Sequence, residues 1–357
     1  MRRIRAARAI ALVGVVALGV AACGGDDAGS SDDGDTAATE QDPDDGDNGD
    51  DDADDGDDGD VDEGDFVTSL TFGTGGTAGV YFPLGTEYAN LFEEHIDGIT
   101  VNAIETGASV DNLGRIFQGE MQLGLTQNNT AIEAVNGQGE FEGLELDNIG
   151  WLGQLYPEAA QVITLESGGY ESIEDLAGQR ISVGPPGSGT RAVAQAILSA
   201  HGIEDGDYEA FEESFGDARS RLQDGNLDAS IEILGVPAGS LDELAATHDV
   251  RLLPIEQSIA EDIAGQTDFE AYTIPADAYS FLDEDISTVS VFAGVAASTT
   301  QVSPDLAYEI TKIIYEHSGD ISLAQGGLIN LDDALLGQGN LDLHPGAQRY
   351  FEEQGLL

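Results

Sequence analysis

A two-lobed α/β fold is predicted by three observations. Short apolar runs alternate with helical periodicity, glycine-rich polar loops fall at the strand-to-helix junctions, and about 290 residues follow this pattern, enough for two cores. In order, residues 67–73 read as a strand, 81–94 as a helix, 100–105 as a strand, 109–118 as a helix and 122–126 as a strand. Two further strands are expected at 152–155 and 161–165. The run SIEDLAG at 172–178 predicts a short helix stopped by glycine, followed by a strand at 180–183. Helices at 189–200 and 217–224 then surround a strand at 229–233. Segments 237–246, 250–253, 288–297 and 304–317 complete a second α/β unit and return to the first. Short apolar strands separated by helices predict mostly parallel sheets covered on both faces.

Charge narrows the function. The 357 residues hold 12 Lys or Arg against 69 Asp or Glu, a formal net charge of −57, which excludes nucleic acid and anionic lipid as natural partners. One cysteine excludes an intramolecular disulfide, a cysteine-ligated zinc and an iron–sulfur site, and five scattered histidines point to no metal centre. No cofactor is expected. Residues 1–23 read as a lipoprotein signal: Arg2, Arg3, Arg5 and Arg8 precede a 14-residue apolar stretch at 9–22, too short for the roughly 20 residues of a settled membrane span. Val20-Ala21-Ala22 then leads into Cys23, the position for lipidation; an ordinary signal peptide with an incidental cysteine is the other reading, and the export route stays open. Residues 24–65 read as an acidic disordered tether, with 21 Asp or Glu between 26 and 65 and no Lys or Arg. These segments predict an extracytoplasmic protein anchored to the outer face of the cell membrane. The remainder, 66–357, carries 48 acidic and 8 basic residues with Lys312 as its one lysine. That balance resembles proteins adapted to molar salt and predicts loosening at low ionic strength.

Three loops are candidates for chemistry. GTGGTAGVYFPLG at 73–85 follows a strand and offers backbone N–H groups with the hydroxyls of Thr74 and Thr77 to an anion. It also fits the loose dinucleotide pattern G-x-G-x-x-A, although Pro83 interrupts a nucleotide-type helix. GPPGSGTR at 184–191 lacks the G-K-[ST] of a phosphate loop and fails the G-x-S-x-G of a nucleophile elbow. Ser188 or Thr190 suits a helix cap, while Arg191 either receives a ligand carboxylate or pairs with one of the chain's acids. ETGASVDNL at 105–113 and TQNN at 126–129 fall at one rim of a parallel sheet, where open α/β sheets bind ligands; Asn112 and Asn128 either line that site or serve structure. No Ser, His and Asp set suggests a nucleophile, so an enzyme is not expected.

The runs GTGGTAGVYFPLG, ETGASVDNL, SIEDLAGQRISVG with PPGSGTR, LQDGNLDASI at 222–231 and YTIPADAYSFLDEDISTV at 272–289 together resemble the TAXI family of TRAP-transporter solute receptors. The resemblance spans residues 66–350 and implies a type II periplasmic-binding-protein fold, with 66–168 plus 285–357 as lobe 1, 169–284 as lobe 2, and a ligand cleft between them. It implies delivery of a small carboxylate-bearing solute, glutamate or glutamine among the candidates, to a TRAP-type permease. Hinges are expected near 165–172 and 280–290. Thr74, Gly75, Gly76, Thr77, Tyr81, Ser109, Asn112, Gln127, Asn128, Ser188, Gly189, Thr190 and Arg191 would line the cleft by the same resemblance. Two positions depart from it: Glu232, in SIEI at 230–233, would repel an acidic ligand or recruit an ammonium group, and Tyr279 either covers the ligand or packs in the core. A stand-alone ligand-sensing surface receptor of the same fold is the alternative.

Overall fold

A computed structural model describes residues 66–357; the signal, Cys23 and the acidic tether lie outside the described residues. The chain opens with β1 (Ser69–Gly73), whose Leu70 and Phe72 face inward, and α1 (Tyr81–His95), which buries Tyr81, Leu84, Tyr88 and Phe92 at helical spacing. Strand β2 (Thr100–Ile104), α2 (Ser109–Phe117), β3 (Leu123–Gln127) and α3 (Asn128–Val135) follow. Next comes β4 (Ile149–Leu165), 17 residues and almost wholly buried. The expected strands 152–155 and 161–165 are therefore one strand, and Pro157-Glu158, which interrupts the apolar run, lies inside it. The second half adds β5 (Arg180–Ser182), α4 (Thr190–Ala200), β6 (Glu209–Phe211), α5 (Phe215–Gln223), β7 (Ala229–Gly235), α6 (Gly239–Ala245) and β8 (Val250–Leu253). Helix α7 (Gln257–Ala264), β9 (Glu270–Ile274), β10 (Ile286–Ser298), α8 (Pro304–Glu316) and α9 (Pro345–Gln354) complete it.

The sheet order is β2-β1-β3-β10-β4-β7-β5-β6, with β8 beside β4 and β9 beside β10. The strands β2-β1-β3 form one parallel triad and β7-β5-β6 another. Between them β10 and β4 run antiparallel to each other and to the triads. The sheet is thus mixed, which corrects the expectation of a mostly parallel one: two long return strands, not crossover helices, join the halves.

The architecture is the α/β type II periplasmic-binding-protein fold, two lobes with a cleft between them. Each triad carries its own helices. One core holds Leu70, Phe72, Tyr88, Phe92, Leu123 and Leu125; a second holds Val162, Ile181, Val193, Ile197, Ile231 and Leu253. Strand β4 contributes to both, and through Ile149 and Trp151 to a third core with Leu113, Ile116 and Phe141.

Pairing of β4 with β10 slips between Ala293 and Gly294 and again between Val295 and Ala296, the signature of bulges that bend a long pair. Gly294 lies against the fully buried Trp151 indole, so a Cβ there would collide with the ring and press on the Gly153 carbonyl. Gly294→Ala is expected to destabilise the protein by about 3 kcal/mol through overpacking, read as a lower urea midpoint at unchanged slope.

Candidate functional site

A cavity of about 300 Å³ opens where the loops of both triads meet. From the first lobe come the glycine loop through Tyr81, together with Glu105, Ser109 and Gln127; from the second come Ser188, Gly189 and Thr190 before α4, Ser214 to Asp217 at the start of α5, and Ile233 and Leu234 of β7. Glu158 enters from the centre of β4. The lobes touch across this space: the Gly187 carbonyl accepts from the Val110 and Asp111 amides at 2.9 and 3.1 Å, so the first turn of α2 is capped by the opposite lobe. Arg219 on α5 donates to the Ala78 carbonyl of the glycine loop at 3.3 Å.

Glu158 is 2% exposed, and its Oε2 accepts from the Tyr81 hydroxyl at 2.7 Å. Burial pushes the Glu158 carboxyl up to about 8, with Tyr81 and Gln127 pulling in the opposite direction. The Tyr81 hydroxyl is itself held well above its ordinary value, first by burial and then by the Glu158 charge, so it stays a donor. Gln127 gives its amide N–H to Ser109 Oγ at 3.1 Å, while its own Oε1 is buried without a partner. At the rim, Glu105 accepts from the Thr77 amide at 3.3 Å. Ser214 caps α5, accepting from the Asp217 amide at 3.1 Å and donating to the Asp217 carboxylate at 2.7 Å. The lining holds three carboxyl groups, Glu105, Glu158 and Asp217, and no Lys, Arg or His.

Of the residues singled out from the sequence, Gly75, Gly76, Thr77, Tyr81, Ser109, Gln127, Ser188, Gly189 and Thr190 meet around this cavity. Thr74 lies behind it, its hydroxyl donating to the Ile104 carbonyl at 2.6 Å. Asn112 ties the same layer together, donating to the Thr74 and Leu125 carbonyls at 2.8 and 2.7 Å. Asn128 holds β3 to β10, accepting from the Phe292 amide at 2.8 Å and donating to the Gly337 carbonyl at 3.0 Å. Arg191 borders a neighbouring hollow and pairs with Glu212. Glu232 is fully buried in an ion pair with Arg219, away from the cavity lining. Tyr279 is buried, its hydroxyl donating to Gln161 Oε1 at 2.7 Å and accepting from the Ala238 amide at 2.8 Å. Glu158 and Phe215 join the site without having been anticipated, and Glu105 joins it from the candidate loop 105–113 without having been singled out; Glu158 carries no loop signal because it sits inside a strand. Among the described residues no group of three or more His, Cys, Asp or Glu is placed to hold a metal.

The model of the NMT1-like family matches residues 72–355. Among solved structures, the alkanesulfonate-binding protein SsuA from Xanthomonas axonopodis pv. citri bound to MOPS is similar at 15% identity and TM-score 0.50, over 80% of this chain and 84% of that one. PhnD1 from Prochlorococcus marinus in complex with methylphosphonate is 11% identical, with 81% and 99% covered and a TM-score of 0.47. A putative L-cystine ABC transporter from Listeria monocytogenes is 14% identical, with 75% and 98% covered and a TM-score of 0.47. The fold is shared with the alkanesulfonate-binding protein SsuA. The family match overturns the expected TAXI membership, and with it the TRAP-type permease as partner. The lipoprotein and salt-adapted descriptions gain no support from these matches, and Cys23 is outside the described residues. The surface-receptor alternative, a binder without a TRAP permease, agrees with these findings better than delivery to such a permease.

In the unfolded chain Glu158 ionises near its ordinary value of 4.5, whereas in the folded protein it keeps its proton to about pH 8. Its contribution to stability is therefore complete below pH 4.5 and is lost as the pH rises through 8. Glu158→Gln is expected to be more stable than the parent at pH 9, by up to about 5 kcal/mol and so with a higher melting temperature, the difference vanishing at pH 4, followed by thermal melts across that range.

Proposed function

Because the chain belongs to the NMT1-like family, we propose that it is a solute-binding protein that closes its two lobes on one small molecule and hands it to an ABC-type membrane permease. The observation that carries this reading is the cavity walled from both lobes, with hydrogen bonds running directly between them. A site built half from each lobe exists only when the lobes are together, so binding and closure are one equilibrium. The volume of about 300 Å³ suits a small solute. The fold shared with SsuA, which was solved with the small sulfonate MOPS, supports the same size class. Lobe boundaries at 66–168 plus 285–357 and 169–284 form part of this proposal, as does a location at the outer face of the cell membrane.

In the mechanism, the open protein exposes the polar loops to solvent. Tyr81, Ser109 and Gln127 from one lobe and Ser188 and Thr190 from the other then converge on the solute. Closure removes water and strengthens each polar contact. The bending would be taken up along β4 and β10, whose register slips near the middle and whose ends run into the expected hinges at 165–172 and 280–290. Release requires a permease that favours the open form.

The close approach of the lobes rests on glycine. A Cβ at Gly107 would lie 2.8 Å from the Pro186 carbonyl across the cleft. Gly107→Ala is expected to weaken solute binding at least tenfold while the melting temperature of the ligand-free protein moves by no more than about 2 °C. Small-angle scattering with a panel of alkanesulfonates, phosphonates, amino acids and amines tests the reading itself: one class compacts the protein and raises its melting point, and no change with any of them would sink it.

A further inference from the structure

Resting on that reading, we propose that Glu158 selects the solute by charge: the ligand is a small organic amine that presents a protonated nitrogen to this carboxyl group. The first support is the distribution of cations. All seven arginines among the described residues are paired with the chain's own acids: Arg115 with Asp111, Arg180 with Asp228, Arg191 with Glu212, Arg219 with Glu232, Arg221 with Glu213, Arg251 with Glu166 and Arg349 with Asp305. Lys312 lies on α8, outside the cavity lining. An anionic solute meets no cationic side chain in this cleft.

The second support is that two of the backbone positions able to receive an anion are already taken, although the first turns of α1 and α4 carry no acid. Helix N-termini and glycine loops attract negative charge. Here the Thr77 amide of the glycine loop is given to Glu105, and the start of α5 is answered by Asp217. These carboxylates stand where a solute carboxylate, sulfonate or phosphonate would otherwise be received, and they repel it.

The third support is unmet demand for donors at the floor. Glu158 takes a hydrogen bond from Tyr81 on Oε2 and is reached by the Gln127 side chain, and its carboxyl lines the cavity. Gln127, 4% exposed, lines the same cavity with an Oε1 that has no partner. Once ionised, the Glu158 carboxylate has lone pairs to spare, which call for a ligand rich in N–H, and an ammonium group has three. The titratable groups facing Glu158 are Tyr81 from α1 and Tyr156 from its own strand. Its partners across β10 and β7, Val291 and Gly235, carry no charge. Tyr81, Phe215, Ile233 and Leu234 supply apolar surface for the body of the amine.

Binding then exchanges one proton for one cation. The Glu158 carboxyl releases its proton to the buffer, and the ammonium N–H groups donate to the resulting carboxylate. Calorimetry on the full chain at pH 7, in two buffers of different ionisation enthalpy, reads this directly. The probes are short alkylamines and diamines, zwitterionic amino acids, and alkanesulfonates, phosphonates and dicarboxylates without nitrogen. Amine-bearing probes are expected to bind with release of close to one proton, and Glu158→Gln to weaken them tenfold to a hundredfold and abolish the release. Proton release in the unmodified protein keeps the test independent of how the variant folds. Tight binding of the nitrogen-free anions, or amine binding without proton release and indifferent to Glu158→Gln, overturns this inference and leaves the solute-binding reading standing. No binding by any probe to the folded protein overturns both.

Discussion

Everything in this molecule hangs on the antiparallel pair formed by β4 and β10. These two strands are the seam between the parallel triads, and each is buried along nearly its whole length. A strand buried on both faces has no solvent side on which to place a charge. Glu158 is in the middle of such a strand, and alternation puts it on the same face as Tyr156 and Ala160, so its carboxyl has one outlet, the cleft. The scaffold therefore determines both where the lobes join and which functional group waits at the bottom of the space between them.

Much of the fold was legible in the sequence. The strands of the first triad, the helices beginning at Tyr81, Ser109 and Pro304, and α4, α5, β7, α6 and β8 of the second unit fall within a few residues of the periodicity that announces them, while β6, α7 and β9 carried no such signal. Helix α3 was not, because it starts directly on the polar pair Asn128-Asn129 that reads as a loop. Strand β4 was split because Pro157 and Glu158 break an apolar run that burial, a tertiary property, carries through. At the site, local pattern located the loops but not the direction of each side chain. Thr74 and Thr77 occupy one glycine-rich run, yet Thr74 turns back to β2 while Thr77 faces the cavity. Only the neighbouring strand decides that.

Family assignment failed for a related reason. The runs that suggested a TAXI receptor are the strand-to-helix turns of this fold, and any two-lobed binder that caps helices and brings backbones close needs glycine, serine and threonine there. Such motifs report architecture more faithfully than ancestry. What distinguishes this chain lies between the motifs, in the acids that line its cleft and in the arginines drawn into pairs elsewhere.

Burial favours the neutral form of the Glu158 carboxyl. Sodium and potassium ions are spherical, strongly hydrated and unable to donate a hydrogen bond, so a neutral acid behind a tyrosine hydroxyl gives them nothing to exchange for their water. Only a guest that brings directional donors can make ionisation of Glu158 favourable. At the floor of the pocket an inorganic cation thus meets a neutral acid, and selectivity there resides in the timing of a charge as much as in its position.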